Sequence, residues 1–226
     1  MISHCLRALS IGTAIGFALL TGCSTFTSSS ISRGPYTVVA HKPKNPSAVR
    51  VKVSLQSRMV YVLEGNRPLL ITPTTIGKDG ATTPTGTFHV TDKIAHKRSN
   101  TYGFWANGNV VVAGTSDKRP GSGYRYVGYP MAYWVEFKPA YGFHQGAVWP
   151  IPHSHGCLRL HPNAAPKFFA LVHAGTPVTI ARSLPEDETI GKNVPHPKDY
   201  VDPDPAGSYM ISDKVFAPIP GPLLVD

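Results

Sequence analysis

The sequence has little charge and few cysteines. Only 15% of its 226 residues are charged, with 22 Lys and Arg against 13 Asp and Glu, and it has three Cys. It contains no compact Lys/Arg cluster and no motif of a nucleic-acid-binding fold, so we expect no nucleic-acid partner. It also lacks the periodicity of a helical repeat or a coiled coil. The chain length suits one globular domain with tails.

Glycine and proline are abundant instead, with 21 Gly and 22 Pro, which favours strands and turns over long helices. Alternation of apolar and polar residues predicts strands near 49–55, 59–64 and 68–76. Residues 93–130 are rich in Gly, Tyr, Asn and Arg and predict an insertion with a short hairpin. Further strands are predicted at 86–92, 131–139 and 176–181.

The segment "NAAPKFFALVHAG" predicts the main helix. Asn163 is expected as its N-cap, Pro166 falls in the first turn where proline is tolerated, and Gly175 is expected to end it. Residues 183–226 are rich in proline and lack periodicity. They predict a tail that either wraps the surface or is disordered.

The N-terminus has the pattern of an export signal. Arg7 precedes an apolar stretch at 8–20, which leads into "LTGC", a resemblance to the bacterial lipobox. We therefore expect a lipoprotein signal peptide at 1–22, lipidation of Cys23 and a flexible linker to residue 48. Ser24 after the cysteine favours the outer membrane over the inner. The expected location is the periplasmic face of the cell envelope.

Cys157 is then the thiol left over in an exported, oxidising setting, which suggests a reactive cysteine. The alternative is a small buried hydrophobic residue. It lies in "IPHSHGCLRLHP" at residues 151–162, beside His153, His155 and His161. A zinc site could use these four side chains, but they all fall within residues 153–161 and their spacing matches no usual zinc pattern. We therefore expect no metal.

A thiol activated by histidine fits the same stretch better. A cysteine attacks as the thiolate, and a neighbouring imidazole can take its proton. The local bases are His144, His153, His155 and His161. Gly156 allows a tight turn before Cys157, and backbone N–H groups at such a turn can face a developing oxyanion.

The segment "SHGCLRL" closely resembles the signature of the L,D-transpeptidase family with the YkuD-type catalytic domain. Residues 51–90 resemble the opening strands and the "TPTG-F" segment of that family. "MAYWVEF" and "GFHQG" resemble its strand and upstream histidine, and "AAPKFFALVHAGTPVTI" its last helix and strand. The resemblance covers about 49–182, the predicted catalytic domain. It implies a mainly β, sandwich-like fold with one or two short helices and with the catalytic Cys and His facing one groove.

The resemblance implies roles for individual residues. Cys157 matches the nucleophile, His144 the upstream base that forms a thiolate–imidazolium pair, and His155 a supporting position. Backbone N–H groups near Gly156 and Cys157 are implied in the oxyanion hole. The positions implied to face the oxyanion or substrate are Gly156, Ser154 and Arg159.

Two histidines and one neighbour depart from the pattern. His153 and His161 match no functional position, and we expect both to be exposed. Gln145 follows the upstream histidine, where many members have Gly, Ser or Thr.

The implied activity is peptidoglycan L,D-transpeptidation through a thioester acyl-enzyme. The alternatives are hydrolysis of the same thioester, as in an L,D-carboxypeptidase or endopeptidase, and a non-catalytic lipoprotein that binds the cell wall. The implied partners are stem peptides, the membrane through the lipid anchor, and carbapenem-type inhibitors. No cofactor is expected.

Overall fold

The computed structural model describes residues 36–196 and 205–226, so the signal peptide and the first half of the predicted linker, with Cys23, lie outside the described residues. In the described part, ten strands are β1 Val49–Ser54, β2 Met59–Glu64, β3 Arg67–Thr75, β4 Gly86–His89, β5 Asp92–Asn107, β6 Val110–Thr115, β7 Arg125–Lys138, β8 Tyr141–Gln145, β9 Leu158–Leu160 and β10 Pro177–Ala181. The helices are α1 Ala165–Leu171 and α2 Gly207–Met210. Short 3₁₀ helices span Pro46–Ala48, Pro185–Glu188 and Asp213–Phe216.

The strands follow one hydrogen-bonded order, β4-β10-β1-β2-β3-β9-β8-β7-β5-β6. Two neighbouring pairs run parallel, β1 with β10 and β8 with β9, and the other pairs are antiparallel. Strand β3 joins the two halves because it pairs with β2 along most of its length and with β9 at Thr74 and Thr75. The predicted mainly β fold class is confirmed.

The core lies between the two halves of the sheet and α1. Val51, Val53, Val60 and Val62 are buried on β1 and β2, as the alternation predicts for strands with one face in the core. Phe143 of β8 packs against Phe168 of α1, with ring centroids 4.5 Å apart. Helix α1 therefore covers the strand that carries His144.

The predicted N-cap of α1 is wrong. The N-cap position is Ala164, without a side-chain hydrogen bond, and α1 ends at Leu171, before the predicted Gly175. Asn163 instead uses its side-chain amide to donate to the Tyr36 carbonyl oxygen at 2.7 Å. The residue that looks like a cap thus fastens the N-terminal segment to the start of the helix.

The insertion at 93–130 is larger than a short hairpin. Strands β5, β6 and β7 form a long antiparallel ribbon, called the ribbon below, because β5 pairs along both β6 and β7. The predicted strand at 131–139 is the second half of β7, which begins at Arg125. The Gly-rich and aromatic sequence predicts loops, but the long pairing partners hold it as strands.

The tail partly wraps the surface. Val215 and Phe216 are buried against Ala132 of the ribbon, and Val225 forms a parallel bridge with His41. Pro185–Glu188 packs beside β1 and β2, where Glu186 forms an ion pair with Lys52. Across both described ranges, every helix is too short or too polar to cross a membrane.

Candidate active site

Parallel pairing of β8 with β9 brings the polar residues of two motifs together. His144 on β8 lies directly opposite Arg159 on β9, so their side chains emerge on the same face. Cys157 immediately precedes β9 and therefore sits at the end of this strand pair. The same register places Phe143 and Leu158 together in the core.

The turn before Cys157 requires glycine. Gly156 has φ +106°, and a Cβ there would lie 2.6 Å from Tyr141 Cε1. Its carbonyl oxygen accepts a hydrogen bond from Thr83 Oγ1 at 2.9 Å, while that hydroxyl accepts from the Gly77 N–H. Thr83 of the "TPTG" segment thus fixes the turn before Cys157 by hydrogen bonding.

Ser154 organises the loop from inside. It is buried, its Oγ donates to the Cys157 carbonyl oxygen at 2.6 Å, and it accepts the Gly156 N–H at 3.1 Å. Because the Gly156 N–H already has this partner, its implied oxyanion role would require that bond to be given up. The implied role of the Cys157 N–H stays a prediction.

His144 is oriented and neutral. It is 5% exposed, and its Nδ1 lies 2.8 Å from the Gln145 carbonyl oxygen, which fixes Nδ1 as the protonated nitrogen. Burial, together with the Arg159 charge, lowers the pKa of His144 to about 4. At neutral pH, Nε2 therefore carries a free lone pair. A backbone carbonyl makes the orienting bond, so the Gln145 side chain is not needed for it.

The thiol of Cys157 is also neutral at rest. Its Sγ donates to the Ala140 carbonyl oxygen at 3.7 Å, in the turn between β7 and β8. Burial raises the pKa of the thiol and the Glu136 carboxylate raises it further, whereas the Gly142 backbone and Arg159 lower it. These directions favour a thiol–imidazole pair over a preformed thiolate–imidazolium pair.

Cys157, His144, His155, Ser154 and Arg159 line one cleft of about 630 Å³. The opposite wall comes from the ribbon. The ribbon and turn residues lining the cleft are Lys97, Ser99, Asn100, Thr101, Tyr102, Tyr129, Met131, Trp134, Glu136, Ala140 and Tyr141. The structure therefore brings Cys157 and His144, the residues that the two motifs predict to be catalytic, into a single open groove.

A break in the alternation of β7 brings Trp134 and Glu136 into the cleft lining. Tyr133 has φ +57°, a left-handed conformation that interrupts the alternation of the strand. As a result Met131, Trp134 and Glu136 all line the cleft, while Tyr133 packs against Phe169 of α1 on the other side. Glu136 is the acidic residue among the described side chains that line the cleft.

His155 faces the ribbon. Its ring stacks on Tyr102, with centroids 4.5 Å apart and planes 21° apart. Burial, with the nearby charges of Lys78 and Arg159, lowers the pKa of His155. The imidazole of His155, beside the turn before Cys157, is thus a neutral ring in contact with the opposite wall of the cleft.

The other histidines of the opening motif point elsewhere. His153 is exposed, as expected, and stacks on Trp149 at 4.0 Å. The expectation of exposure is wrong for His161, which is 0% exposed, accepts the Asn163 N–H through Nδ1 at 2.9 Å, and packs edge-on against Tyr36. Residues 36–196 and 205–226 contain no group of three His, Cys, Asp or Glu side chains placed to hold a metal ion.

Several residues at or near the cleft were not predicted from the sequence. Thr83 supports the cysteine turn and lies in the "TPTG" segment, but the sequence gives no sign of its hydrogen bond to Gly156. Tyr102, Lys97 and Glu136 carried none, because only the folding of the ribbon brings them opposite Cys157.

Residues 48–180 match the family model described as the L,D-transpeptidase catalytic domain, YkuD. No curated protein matches the chain. Similar solved structures include an L,D-transpeptidase from Stackebrandtia nassauensis, at 20% identity and TM-score 0.44 over 65% of this chain and 60% of that one.

Two other similar structures have comparable scores. An L,D-transpeptidase from Mycobacterium smegmatis has 17% identity and TM-score 0.45, over 59% of this chain and 58% of its own. The catalytic domain of the E. faecium enzyme has 22% identity and TM-score 0.42, over 59% of this chain and 96% of its own. This chain thus spans about 60% of the length of the first two structures. With more than half of its residues matched by the family model, the chain belongs to the YkuD family of L,D-transpeptidase catalytic domains.

Proposed function

We propose that this chain is a cysteine-dependent peptidoglycan L,D-transpeptidase. The observation that carries the proposal is the convergence of Cys157, His144 and Arg159 on one cleft within the family's catalytic domain. Substrates of this reaction class are stem peptides, in which an amide bond joins an L-centre to a D-centre.

The first half-reaction uses the neutral pair at the end of β8 and β9. His144 Nε2 takes the thiol proton as Cys157 Sγ attacks the amide carbonyl carbon, so a carbon–sulfur bond forms as the thiolate develops. The resulting imidazolium then protonates the amine of the terminal D-residue as the carbon–nitrogen bond breaks. A thioester and a neutral His144 remain, and the energy of the broken amide is kept in the thioester.

The second half-reaction reverses the proton path. An acceptor amine attacks the thioester, His144 takes the amine's proton, and Cys157 leaves with a proton returned from His144. Attack by water instead of an amine gives hydrolysis, so the acceptor decides between transfer and carboxypeptidase or endopeptidase activity. The charge of Arg159 lowers the pKa of Cys157 and so stabilises the developing thiolate.

The test is product analysis with purified muropeptides. A disaccharide-tetrapeptide should give dimers or exchanged D-residues by transfer, whereas a shortened monomer alone would show hydrolysis. Cys157→Ala should abolish all products, and His144→Ala should lower kcat by about 10²–10⁴-fold, the usual contribution of a general base. The matched control is His153→Ala, which removes an exposed imidazole outside the cleft. Unchanged turnover in Cys157→Ala would overturn the assignment of Cys157 as the nucleophile, whereas a wild-type chain without turnover would favour a non-catalytic role.

Carbapenem-type inhibitors should modify the same thiol. One similar solved L,D-transpeptidase is a complex with imipenem. A strained β-lactam carbonyl can acylate Cys157 without an acceptor, so intact-mass spectrometry should show one carbapenem adduct per chain. The adduct should be lost in Cys157→Ala and kept in His153→Ala.

We also propose that the chain is exported and lipid-anchored through Cys23, on the periplasmic side and at the outer membrane. The support is the lipobox-like "LTGC" after an apolar stretch. Metabolic labelling with an alkyne fatty acid should tag the wild type and not Cys23→Ser. Labelling that persists in Cys23→Ser would contradict the anchor.

A further inference from the structure

One wall of the cleft is an irregular part of the ribbon. Between β5 and β7, Arg98 pairs with Pro130 and Gly103 with Gly128, so residues 99–102 lie opposite Tyr129 alone. We call residues 99–102 the bulge. All of its residues line the cleft. On its other side, Tyr102 pairs with Thr115 of β6 and the Thr101 carbonyl oxygen accepts the Ser116 N–H at 2.9 Å. Because a bulge leaves residues outside the regular ladder toward β7, strand pairing fixes this wall from one side only.

Part of the support is local. Ser99 Oγ accepts the N–H groups of Thr101 at 3.2 Å and Tyr102 at 3.1 Å. The bulge also packs closely on β7, since a Cβ at Gly128 would lie 2.0 Å from the Ser99 carbonyl oxygen. On the cleft side, Tyr102 stacks on His155. The position of the bulge therefore sets the contact with the loop that carries Cys157.

Arg98, at the base of the bulge, reaches to the opposite face of the ribbon. Its Nη1 donates to the carbonyl oxygens of Gly128 at 3.1 Å and Met210 at 3.0 Å. Its Nη2 donates to those of Ile211 at 3.4 Å and Ser212 at 2.9 Å. One guanidinium thus joins β7 to three consecutive carbonyls at the C-terminal end of α2.

The contacts on either side of Arg98 extend this attachment. The Arg98 guanidinium carbon lies 4.9 Å from the centroid of the Phe216 ring, and His96 stacks on the same ring at 5.0 Å. Asp213 lies 3.5 Å from Arg98 but is almost fully exposed, so this ion pair contributes little. At the other end, a Cβ at Gly207 would meet Val111 of β6 at 2.8 Å. Residues 207–216 therefore lie against the back of the ribbon.

Arginine suits this position for a physical reason. Its planar group carries several N–H donors in fixed directions, whereas lysine has one compact ammonium. Removing the guanidinium would leave the carbonyls of Met210, Ile211 and Ser212 without this donor, which is costly for half-buried groups.

We propose that residues 207–216 act as a brace for the cleft, and that Arg98 is the positioning residue through which the brace holds the bulge. The brace keeps Tyr102 against His155 and sets the width of the groove in which a donor peptide lies. Its effect on substrate rests on the proposed transpeptidase function. Arg98 does not touch the reacting atoms, so it acts on binding of the extended donor rather than on the thiol.

The test compares Arg98→Ala, Arg98→Lys and Phe216→Ala in the full chain. We expect Arg98→Ala to speed amide hydrogen exchange in residues 99–102 and to raise KM for a disaccharide-tetrapeptide by about tenfold, since small misplacements of positioning groups have effects of this order. We expect kcat, and the rate of Cys157 alkylation by iodoacetamide, to change by less than about twofold. Arg98→Lys should fall between the wild type and Arg98→Ala.

Phe216→Ala removes the ring that contacts Arg98 from the side of the brace. It keeps the test informative if Arg98→Ala folds poorly. It should reproduce the faster exchange and higher KM, and the double variant should add little to either single one. Arg125→Ala is the control, because Arg125 is an exposed arginine of β7 at the far end of the ribbon. Three results would overturn the brace. They are an equal loss of Cys157 alkylation rate and of turnover, an unchanged rate of amide hydrogen exchange in residues 99–102, and a double variant whose effect on KM equals the sum of the two single effects.

Failure of the proposed function gives a different result. A wild-type chain without turnover would reject the transpeptidase assignment. The brace would then be decided by hydrogen exchange and by the ratio of Cys157 alkylation rates with a bulky maleimide and with iodoacetamide. A ratio that rises in Arg98→Ala and Phe216→Ala supports the brace, and a ratio that stays constant overturns it.

Discussion

The charge states of His144 and Cys157 follow from where their side chains lie. Burial disfavours the charged form of both groups, so it lowers the pKa of His144 to about 4 and raises the pKa of Cys157. The two effects reinforce each other and keep the resting pair uncharged. In the proposed reaction the thiolate forms only as the substrate is attacked, and a thiol that is neutral at rest is less readily oxidised than a thiolate.

The pH dependence of alkylation tests this charge state. Because the pKa of Cys157 lies above the ordinary thiol value near 8.5, its alkylation by iodoacetamide should keep rising beyond about pH 9. Glu136→Gln removes a negative charge that raises the pKa of the thiol and should move the midpoint down. Arg159→Gln removes a positive charge that lowers it and should move the midpoint up.

The measurement is the alkylation rate between pH 6 and 10, followed by intact mass. Glu188→Gln, a change at an exposed carboxylate outside the cleft, should leave the midpoint where it is. A wild-type midpoint below pH 7 would mean that the thiolate is already formed and would contradict the neutral pair.

At the residue level, the motifs predicted which side chains lie together better than they predicted burial. "SHGC" and "GFHQG" predicted Cys157 and His144, and the structure places both in one cleft. The burial of His161 could not be predicted, since it depends on contact with Tyr36 from a distant segment and on a hydrogen bond from the Asn163 N–H. The same holds for Glu136, which reaches the cleft because Tyr133 changes the alternation of β7.

At the level of elements, the turn before Cys157 shows how backbone shape serves a side chain. Gly156 adopts a φ that other residues rarely take, and Tyr141 fills the space a Cβ would need. The turn holds the thiol against the β7–β8 turn, where the Ala140 carbonyl oxygen accepts its hydrogen bond.

Gly156→Ala should therefore displace the nucleophile. The backbone strain and the clash with Tyr141 should destabilise the fold by about 1–3 kcal/mol, and kcat/KM should fall by more than the loss of folded protein explains. Gly175→Ala is the control, since Gly175 has φ +89° but nothing within 4 Å of an added Cβ. The two variants are compared by thermal melting and by carbapenem acylation rate. Similar acylation in both would contradict the positioning role of Gly156.

Regular elements were predictable and the irregular ones were not. The alternation in residues 49–76 predicted β1, β2 and β3 to within about one residue, although both faces of β2 are buried. Residues 99–102 read as a loop, since Ser, Asn, Thr and Tyr carry no strand periodicity. Their position beside β7 depends on Gly128, which allows the close approach of Ser99. In the proposed brace it also depends on the carbonyls at the end of α2 that bind Arg98.

At the level of the whole molecule, a polar cluster ties the residues after β10 to the sheet. Asp187 accepts hydrogen bonds from Ser54 Oγ and Ser57 Oγ at 2.7 Å, Tyr61 Oη at 2.8 Å and the Leu184 N–H at 2.9 Å. Although burial raises its pKa, these bonds outweigh that effect and lower the pKa of Asp187. One carboxylate thus joins β1, β2 and the Pro185–Glu188 turn.

Asp187→Ala should cost stability without affecting the cleft. Leaving the buried donors unpaired should cost about 2 kcal/mol, which lowers Tm by roughly 4–8 °C in a chain of this size. Because the pKa of Asp187 is lowered on folding, this contribution is present above about pH 4 and lost as pH falls through the folded-state pKa. The Tm difference from wild type should therefore shrink in acid.

Calorimetry at pH 7 and pH 3 measures the effect, with activity toward muropeptides as a second readout. Glu188→Ala, at an exposed residue in the same 3₁₀ helix, is the matched control and should leave Tm within about 1 °C, as for most surface changes. A Tm difference that is equally large at both pH values would contradict the ionic role of Asp187.

The parallel pairing of β1 with β10 has a consequence for how the protein is made. Val51 of β1 lies opposite Val178 of β10. Strand β1, the first strand in the chain, therefore cannot pair with β10 until nearly all of residues 48–180, the region that matches the family model, has been synthesised. Such distant pairing slows folding, because a long loop must close before the contact forms. Until residue 177 has been synthesised, the edge of β1 that pairs with β10 has no strand partner. The sheet therefore stays incomplete at β1 while the ribbon and the loop that carries Cys157 are being synthesised.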